Sequence, residues 1–288
     1  MIDTLIGGVA TGSLYAILAV GFVMVYSATG VANFAQGSLA MVAAFVMFTA
    51  SVNWGIPVWP AALFGLASAV LVSCVTYYLG LRFIQISDPL YKGIATLAID
   101  TILVNGARAI WGPSSFQFNS LLRTDTFAIG GLTLPTSYAI TFLVALCVAF
   151  LLQMFLTLTR TGIVMRAVTQ NAEIAVMMGV KLTMISLISW ALCGVLAGIA
   201  GLLLAPVAYL SYNMMTPYLI RMFAAAALGG LTSLWGAVTG GLLLGAIEGL
   251  VGRFVSATMI DVVSVLLLLC VLIFRPQGLF GSAPMRRV

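Results

Sequence analysis

Histidine is absent from this 288-residue chain, and charged residues make up only 7% of it. The acidic residues occur singly along the sequence, so the usual general bases and metal-ligand clusters are missing. No G-x-x-x-x-G-K-[ST] segment occurs, which excludes a P-loop for nucleotide phosphates. These absences argue against an enzyme, against a cofactor held by the chain and against ATP hydrolysis by the chain itself.

The positions of the cysteines and of the basic residues argue against a CxxC site and against nucleic-acid binding. The four cysteines lie within apolar runs without CxxC spacing, so we expect small core residues. The formal charge of +5 does not indicate nucleic-acid binding, because Arg275, Arg286 and Arg287 directly follow the last apolar run. Basic residues in that position favour a cytoplasmic C-terminus.

Long uncharged stretches dominate the sequence. The chain is 62% hydrophobic, and no charged residue occurs at 4–81, 126–159 or 182–220. Each stretch can hold one or more helices of about 20 residues, whereas the alternating strands of a barrel are missing. The sequence therefore predicts an all-α polytopic membrane protein with about eight or nine transmembrane helices. We expect one transmembrane domain over residues 1–288, embedded in a lipid bilayer.

Basic residues in short loops indicate which helix ends face the cytoplasm. Arg82 and Lys92 mark one cytoplasmic loop, and residues 160–181 form another. By the same rule, the polar segment at 112–135 is predicted to be an external loop.

One predicted helix is too short for a comfortable crossing. It extends from Arg221 to Gly230 and is followed by Thr232, Ser233 and Gly236. This pattern favours a short or broken helix. Exposed carbonyls and hydroxyls at membrane depth suit a pathway or a packed interface, so Thr232 and Ser233 are candidate translocation-path residues.

A polar cluster follows the first predicted helix. Asn33, Gln36 and Ser38 precede a second helix predicted from about Leu39 to Ala50. Lipid cannot satisfy these groups, so the backbone here must be buried in protein or line a wet cavity. The three side chains are candidates for the translocation path. The alternative is that they only join helices or satisfy nearby carbonyls.

Further polar and charged residues lie inside predicted helices. Asp100 and Asn105 share one helix, and Glu248 lies in a later one. Because burying charge in hydrocarbon is costly, these residues are candidate path residues, with a structural contact to a neighbouring helix as the competing interpretation. Arg253 and Asp261 flank the turn after the Glu248 helix and are predicted to pair.

The loop at 160–181 is predicted to be folded. Asn171 can cap a helix, Glu173 suits the first turn, and Gly179 can end the helix in a left-handed conformation. These signals predict a short helix from Ala172 to Met178.

The predicted short helix carries an apolar ridge. Ile174, Met177 and Met178 share one face. In one interpretation the helix lies on lipid headgroups. In the other it docks into a groove on a cytoplasmic partner, where methionine packs adaptably. Arg166 and Glu173 would then hold the docked helix electrostatically.

Four segments together resemble a known family. In chain order they are GSLYAILAVGFVMVYSATGVANFAQG, MRAVTQNAEIAVMMGV, FAAAALGGLTSLWGAVTGGLLLGAIEGL and FRPQGLFG. In these segments the chain is similar to the LivH-type permease subunits of branched-chain amino acid ABC transporters. Family members commonly have a histidine and an acidic residue where Gln36 and Ser38 stand. The resemblance therefore leaves open a branched-chain amino acid or a related small polar solute, such as urea or an amide.

The resemblance implies a subunit of an importer in the bacterial inner membrane. Residues 160–181 would be the coupling segment gripped by an ATPase subunit. Two such subunits would bind ATP and magnesium, and a second permease of the same superfamily and an extracytoplasmic binding protein would complete the assembly. The alternative hypothesis is a stand-alone secondary carrier or channel that uses Asp100 and Glu248 as ion or proton sites.

Overall fold

The computed structural model describes residues 2–84, 89–117, 126–129 and 132–281. Its helices, in chain order, are α1 (Ile2–Thr29), α2 (Gln36–Phe48), α3 (Val58–Val75), α4 (Pro89–Trp111), α5 (Thr136–Leu158), α6 (Arg160–Gln170), α7 (Ala172–Met177), α8 (Leu182–Leu204), α9 (Thr216–Gly229), α10 (Leu234–Phe254) and α11 (Met259–Phe274). π-Helical turns extend α2 over Thr49–Asn53 and α3 over Thr76–Leu81. An antiparallel hairpin joins β1 (Thr126–Ile129) to β2 (Leu132–Pro135).

The helix lengths confirm the predicted polytopic membrane fold. Among the described residues, seven helices are long and apolar enough to cross a membrane: α1, α2 and α3 with their extensions, α4, α5, α8 and α10. Helix α11 is apolar and shorter, with 16 residues. Helix α9 has 14 residues and matches the predicted short helix. It begins at Thr216 instead of Arg221, because Pro217 fits the first turn of a helix.

The described residues form two compact units. Unit 1 takes the described residues of Met1–Val23, Thr124–Ala149 and Ile220–Val288, and unit 2 takes those of Met24–Arg123 and Phe150–Leu219.

Small residues bring α2, α3 and α8 together in unit 2. A Cβ added at Gly65 of α3 would lie 2.5 Å from the Ala43 carbonyl oxygen of α2, and one at Gly201 of α8 would overlap the Ala40 backbone of α2. Ala40 and Ala43 are fully buried. Close backbone approach of this kind is how helices pack tightly in a membrane.

The last described residues of unit 1 hydrogen-bond with helix α9. We call Arg275–Gly281 the C-terminal strap. The Leu279 amide donates to the Leu228 carbonyl at 2.8 Å, and the Phe280 amide donates to the Gly229 carbonyl at 2.9 Å. These bonds satisfy carbonyls in the last turn of α9, which the helix itself leaves without partners.

Candidate functional site

The non-helical segment between α1 and α2 is buried within protein. Gly30 leaves α1 with a φ of +70°, and Asn33 is fully buried. The Thr96 hydroxyl of α4 holds this segment, since it lies 3.0 Å from the Ala32 carbonyl and accepts from the Phe34 amide at 3.1 Å. Irregular backbone in a membrane protein requires such internal partners.

Two amides and a thiol meet at the start of α2. The Asn33 Nδ2 donates to Cys193 Sγ at 3.2 Å and lies 3.5 Å from Gln36 Oε1. The Cys193 thiol donates to the same Gln36 Oε1. All three residues are fully buried, so the structure places the two predicted amides against α8. Helix α2 begins at Gln36, three residues before the predicted Leu39, because this first turn finds polar partners inside the protein.

Ser38 connects α2 to the central residue of α4. The Ser38 hydroxyl donates to the Ala35 carbonyl at 2.9 Å and lies beside the Asp100 side chain. The structure thus brings together four of the predicted path residues, namely Asn33, Gln36, Ser38 and Asp100.

Asn105 takes a different position from that cluster. Its side chain is exposed, and its Nδ2 donates to the Thr101 carbonyl one turn earlier at 2.8 Å. The guanidinium of Arg108, further along α4, lies 5.5 Å from the centre of the Tyr212 ring, a cation–π geometry.

Glu248 lies in a buried ion-pair network in unit 1. Its carboxylate is 4% exposed and accepts from Tyr15 Oη at 2.7 Å and from Arg221 Nε at 3.1 Å. The Ser264 hydroxyl also donates to it. This network joins α1, α9, α10 and α11 around one carboxylate.

The predicted pair between Arg253 and Asp261 is wrong. Asp261 Oδ1 instead accepts from Arg221 Nη2 at 2.6 Å, and Arg253 Nη1 donates to Thr4 Oγ1 at 2.8 Å. Asp261 pairs with Arg221 because the Arg221 guanidinium lies between Asp261 and Glu248 and reaches both carboxylates. A sequence signal was present, since Arg221 and Glu248 are the two charges in the otherwise uncharged stretch 182–252.

Thr232 and Ser233 lie between α9 and α10, just after the two carbonyls that the C-terminal strap hydrogen-bonds. The Ser233 hydroxyl caps α10 by accepting from the Gly236 amide at 3.1 Å. Gly230, with a φ of +112°, turns the chain from α9 toward these residues. Thr232 and Ser233 therefore belong to unit 1. Asn33, Gln36 and Cys193, which we call the Gln36 cluster, belong to unit 2.

The loop predicted to be folded contains two helices. Thr159 caps α6 by accepting from the Gly162 amide at 3.0 Å, and Met165 and Val168 of α6 are buried. Asn171 caps α7 as predicted, with Oδ1 accepting from the Ile174 amide at 3.1 Å. Helix α6 was not predicted, although the Thr159 cap and its buried i, i+3 positions are sequence signals for a helix.

Helix α7 ends at Met177, one residue before the predicted Met178, and the predicted Gly179 terminates it. Gly179 has a φ of +86°, its amide donates to the Val176 carbonyl at 2.9 Å, and the Val180 amide donates to the Ala175 carbonyl at 3.0 Å. This pair of bonds is a Schellman motif. Both ends of the six-residue helix are therefore fixed.

The predicted apolar ridge of α7 is exposed. Ile174, Met177 and Met178 are 58%, 84% and 81% exposed, while Ala175 on the opposite side is 5% exposed. Arg166 and Glu173 are also at the surface. A rigid helix thus presents large apolar side chains outward between the long helices α5 and α8.

Comparison with known proteins identifies the family. A family model described as branched-chain amino acid transport system / permease component matches residues 4–272. The chain belongs to this family. The match extends from the start of α1 into α11 and includes both the Gln36 cluster and the α6–α7 segment.

Curated permease relatives match nearly end to end. The high-affinity branched-chain amino acid transport system permease protein LivH of Salmonella typhimurium is 28% identical, with 100% of this chain and 97% of that protein covered. BraD of Pseudomonas aeruginosa is also 28% identical, with 100% and 98% covered. A probable branched-chain amino acid transport permease protein LivH of Methanocaldococcus jannaschii is 31% identical, with 96% and 91% covered.

Proposed function

We propose that this permease component is the membrane-spanning subunit of an ABC importer in the bacterial inner membrane, with its C-terminus in the cytoplasm. It would translocate a branched-chain amino acid, or a related small polar solute such as urea or an amide, that an extracytoplasmic binding protein delivers. A second permease of the same superfamily would pair with it as a heterodimer. Two separate subunits would bind and hydrolyse ATP with magnesium.

The exposed ridge of α7 is the observation that carries this proposal. Ile174, Met177 and Met178 offer adaptable apolar surface to a groove, and the surface residues Arg166 and Glu173 add charge beside it. The Asn171 cap and the Gly179 turn hold α7 rigid, so force on the ridge passes to α5 and α8. Closure of the ATPase pair would then tilt those helices and switch access to the pathway.

The test removes the ridge without disturbing the fold of α7. We expect Met177→Ser with Met178→Ser to abolish the stimulation of ATP hydrolysis by loaded binding protein in proteoliposomes of the whole assembly, because the ATPase loses its apolar contact. Val207→Ser is the matched control, since Val207 is 58% exposed and lies in the connection between α8 and α9. Normal stimulation in the doubly substituted assembly would contradict the coupling role.

We further propose that the translocation path involves two groups of residues. The first lies in unit 2: Asn33, Gln36, Ser38 and Asp100, with the exposed Asn105 further along α4. The second lies in unit 1: Thr232, Ser233 and Glu248. The burial of Asn33, Gln36, Ser38 and Glu248 supports the assignment of these four, because buried polar side chains are retained in membranes mainly where they serve a pathway or a contact.

A stand-alone carrier is less well supported than an importer. Such a carrier would need Asp100 or Glu248 to gain and lose an ion or proton. The Arg221 guanidinium lies 3.1 Å from the Glu248 carboxylate, which favours a structural contact. Uptake by the purified chain alone in liposomes, lost on Asp100→Asn, would support the carrier instead.

A further inference from the structure

We infer that the start of α2, together with the Gln36 amide, forms a binding site for a hydrogen-bond-accepting oxygen of the transported solute. The inference rests on the proposed function and names the chemistry that the path recognises. It depends on three independent features of unit 2: an unpartnered buried donor, a helix start without a side-chain cap, and the depth at which both lie.

The first feature is the Gln36 side-chain nitrogen. Gln36 is fully buried, and its Oε1 is engaged by Asn33 and Cys193. Its Nε2 has no hydrogen-bond partner among the residues that the structure describes. A buried donor without an acceptor is costly, and native proteins rarely keep one without a reason.

The second feature is the first turn of α2. Helix starts leave backbone amides without partners inside the helix. Ala35 at the N-cap supplies no side-chain hydrogen bond to this turn. The nearest amide side chain, Asn33, instead uses its Oδ1 to accept from the Ala35 amide at 3.1 Å. Gln36 is the first residue of α2, so its Nε2 adds a donor to a helix end that already favours acceptors.

The third feature is the depth of this helix end. Gln36 contacts Cys193, the central residue of α8 (Leu182–Leu204). Ser38 contacts Asp100, the central residue of α4 (Pro89–Trp111). Both helices are long enough to cross a membrane, so α2 begins about half-way through the hydrocarbon layer. Broken helices whose N-termini point at solute groups near the midplane are a recurrent feature of transporters.

The neighbouring charge narrows the chemical class of the solute. The Asp100 side chain lies beside Ser38, two residues after Gln36 in the sequence. In its carboxylate form Asp100 repels a simple anion and attracts N–H donors. The site therefore suits a neutral or zwitterionic solute that carries a carbonyl or carboxylate oxygen beside N–H groups. Amino acids, amides and urea meet this description, whereas a carboxylate without an amino group does not.

The first experiment removes the Gln36 amide, with its unpartnered donor, at constant side-chain length. We expect Gln36→Met to lower ATP-driven uptake by about tenfold or more, the usual effect of losing one hydrogen bond in a buried site. The assay uses proteoliposomes of the whole assembly and whichever of radiolabelled leucine, urea and acetamide the unsubstituted assembly accumulates. Trp190→Phe is the matched control. Among the residues that the structure describes, it deletes the second buried N–H without a partner, which belongs to a ring stacked on Tyr77, so uptake should be unchanged.

The second measurement leaves Gln36 intact. With Cys74, Cys147 and Cys270 replaced by alanine, Cys193 is the remaining cysteine, and it contacts Gln36 directly. Cys193 is fully buried, so we expect N-ethylmaleimide to alkylate it only during ATP turnover, when the path opens, and we expect the accumulated solute, at saturating concentration, to slow that reaction. A Cys193 that does not react during turnover would also overturn the binding site. 4-Methylpentanoate, which is leucine without its amino group, should give no protection because Asp100 disfavours it.

The outcomes separate this inference from the proposed function. Normal uptake in Gln36→Met, or Cys193 alkylation that the accumulated solute does not slow, would overturn the binding site and leave the importer intact. The second result would mean that an ordered water serves these donors. Loss of uptake with ATP hydrolysis still stimulated by binding protein would support the site. Uptake by the unsubstituted chain without any ATPase would instead contradict the proposed function.

Discussion

The buried ion pair between Arg221 and Glu248 allows a quantitative test of what stabilises unit 1. We consider Arg221→Met, which keeps the length of the side chain and removes its charge. Glu248 would remain 4% exposed with hydrogen bonds from Tyr15 and Ser264 and without a counter-charge. Leaving a buried charge without its partner costs about 3–5 kcal/mol of the free energy of unfolding.

The expected change is large enough to measure in detergent. For a chain of this size, each kcal/mol shifts the unfolding midpoint by about 2–4 °C, so the midpoint should fall on the order of 10 °C. Because membrane proteins often unfold irreversibly, the apparent Tm is compared at one fixed scan rate. Arg253→Met is the control: Arg253 is exposed and bonds only Thr4 among the described residues, so its loss should cost less than about 1 kcal/mol.

A double substitution distinguishes charge burial from lost packing. In Arg221→Met with Glu248→Met, both charges of the pair are removed, so we expect at least half of the lost stability to return. If Arg221→Met lowers the apparent Tm no more than Arg253→Met does, the electrostatic argument is wrong. If the double variant is less stable than Arg221→Met alone, the pair contributes through its hydrogen bonds and not through charge compensation.

Three further predictions concern local geometry. Gly201→Leu should prevent stable packing of α8 on α2, whereas Gly106→Leu should be tolerated because a Cβ at Gly106 meets nothing within 4 Å; size-exclusion profiles of the two solubilised variants test this. Gly278→Ala should lower the apparent Tm, since Gly278 has a φ of +74° and its Cβ would lie 2.6 Å from the Ala227 carbonyl oxygen; a Tm equal to that of the parent would refute it. Asn171→Ala should destabilise α7 by about 1 kcal/mol, seen as faster amide hydrogen exchange confined to α7, and protection unchanged there would show that the cap is dispensable.

The α7 helix could be predicted in detail because its signals are local. Asn171 and Gly179 act on backbone groups within a few residues of themselves, so the sequence contains the information that determines both ends. The same holds for α8, whose span from Leu182 to Leu204 lies between a basic residue and a proline-containing connection. Length and apolarity were also sufficient to predict the polytopic fold.

The partners of the candidate path residues could not be predicted in this way. Cys193 and Gln36 are 157 positions apart, and their contact depends on how α2 and α8 pack. Cys193 lies in an apolar run in which the sequence shows no feature that separates it from an ordinary core residue. Thr96 was missed for the same reason, since its role at Ala32 and Phe34 depends on the position of α4 beside an irregular segment.

The C-terminal strap has a consequence for biosynthesis. The carbonyls of Leu228 and Gly229 receive their hydrogen bonds from Leu279 and Phe280, about fifty residues later in translation. While the ribosome is still synthesising α10 and α11, these two carbonyls therefore lack their hydrogen-bond donors. A stop codon just before the strap would remove the donors permanently, whereas a purification tag fused beyond Gly281 would leave both bonds in place.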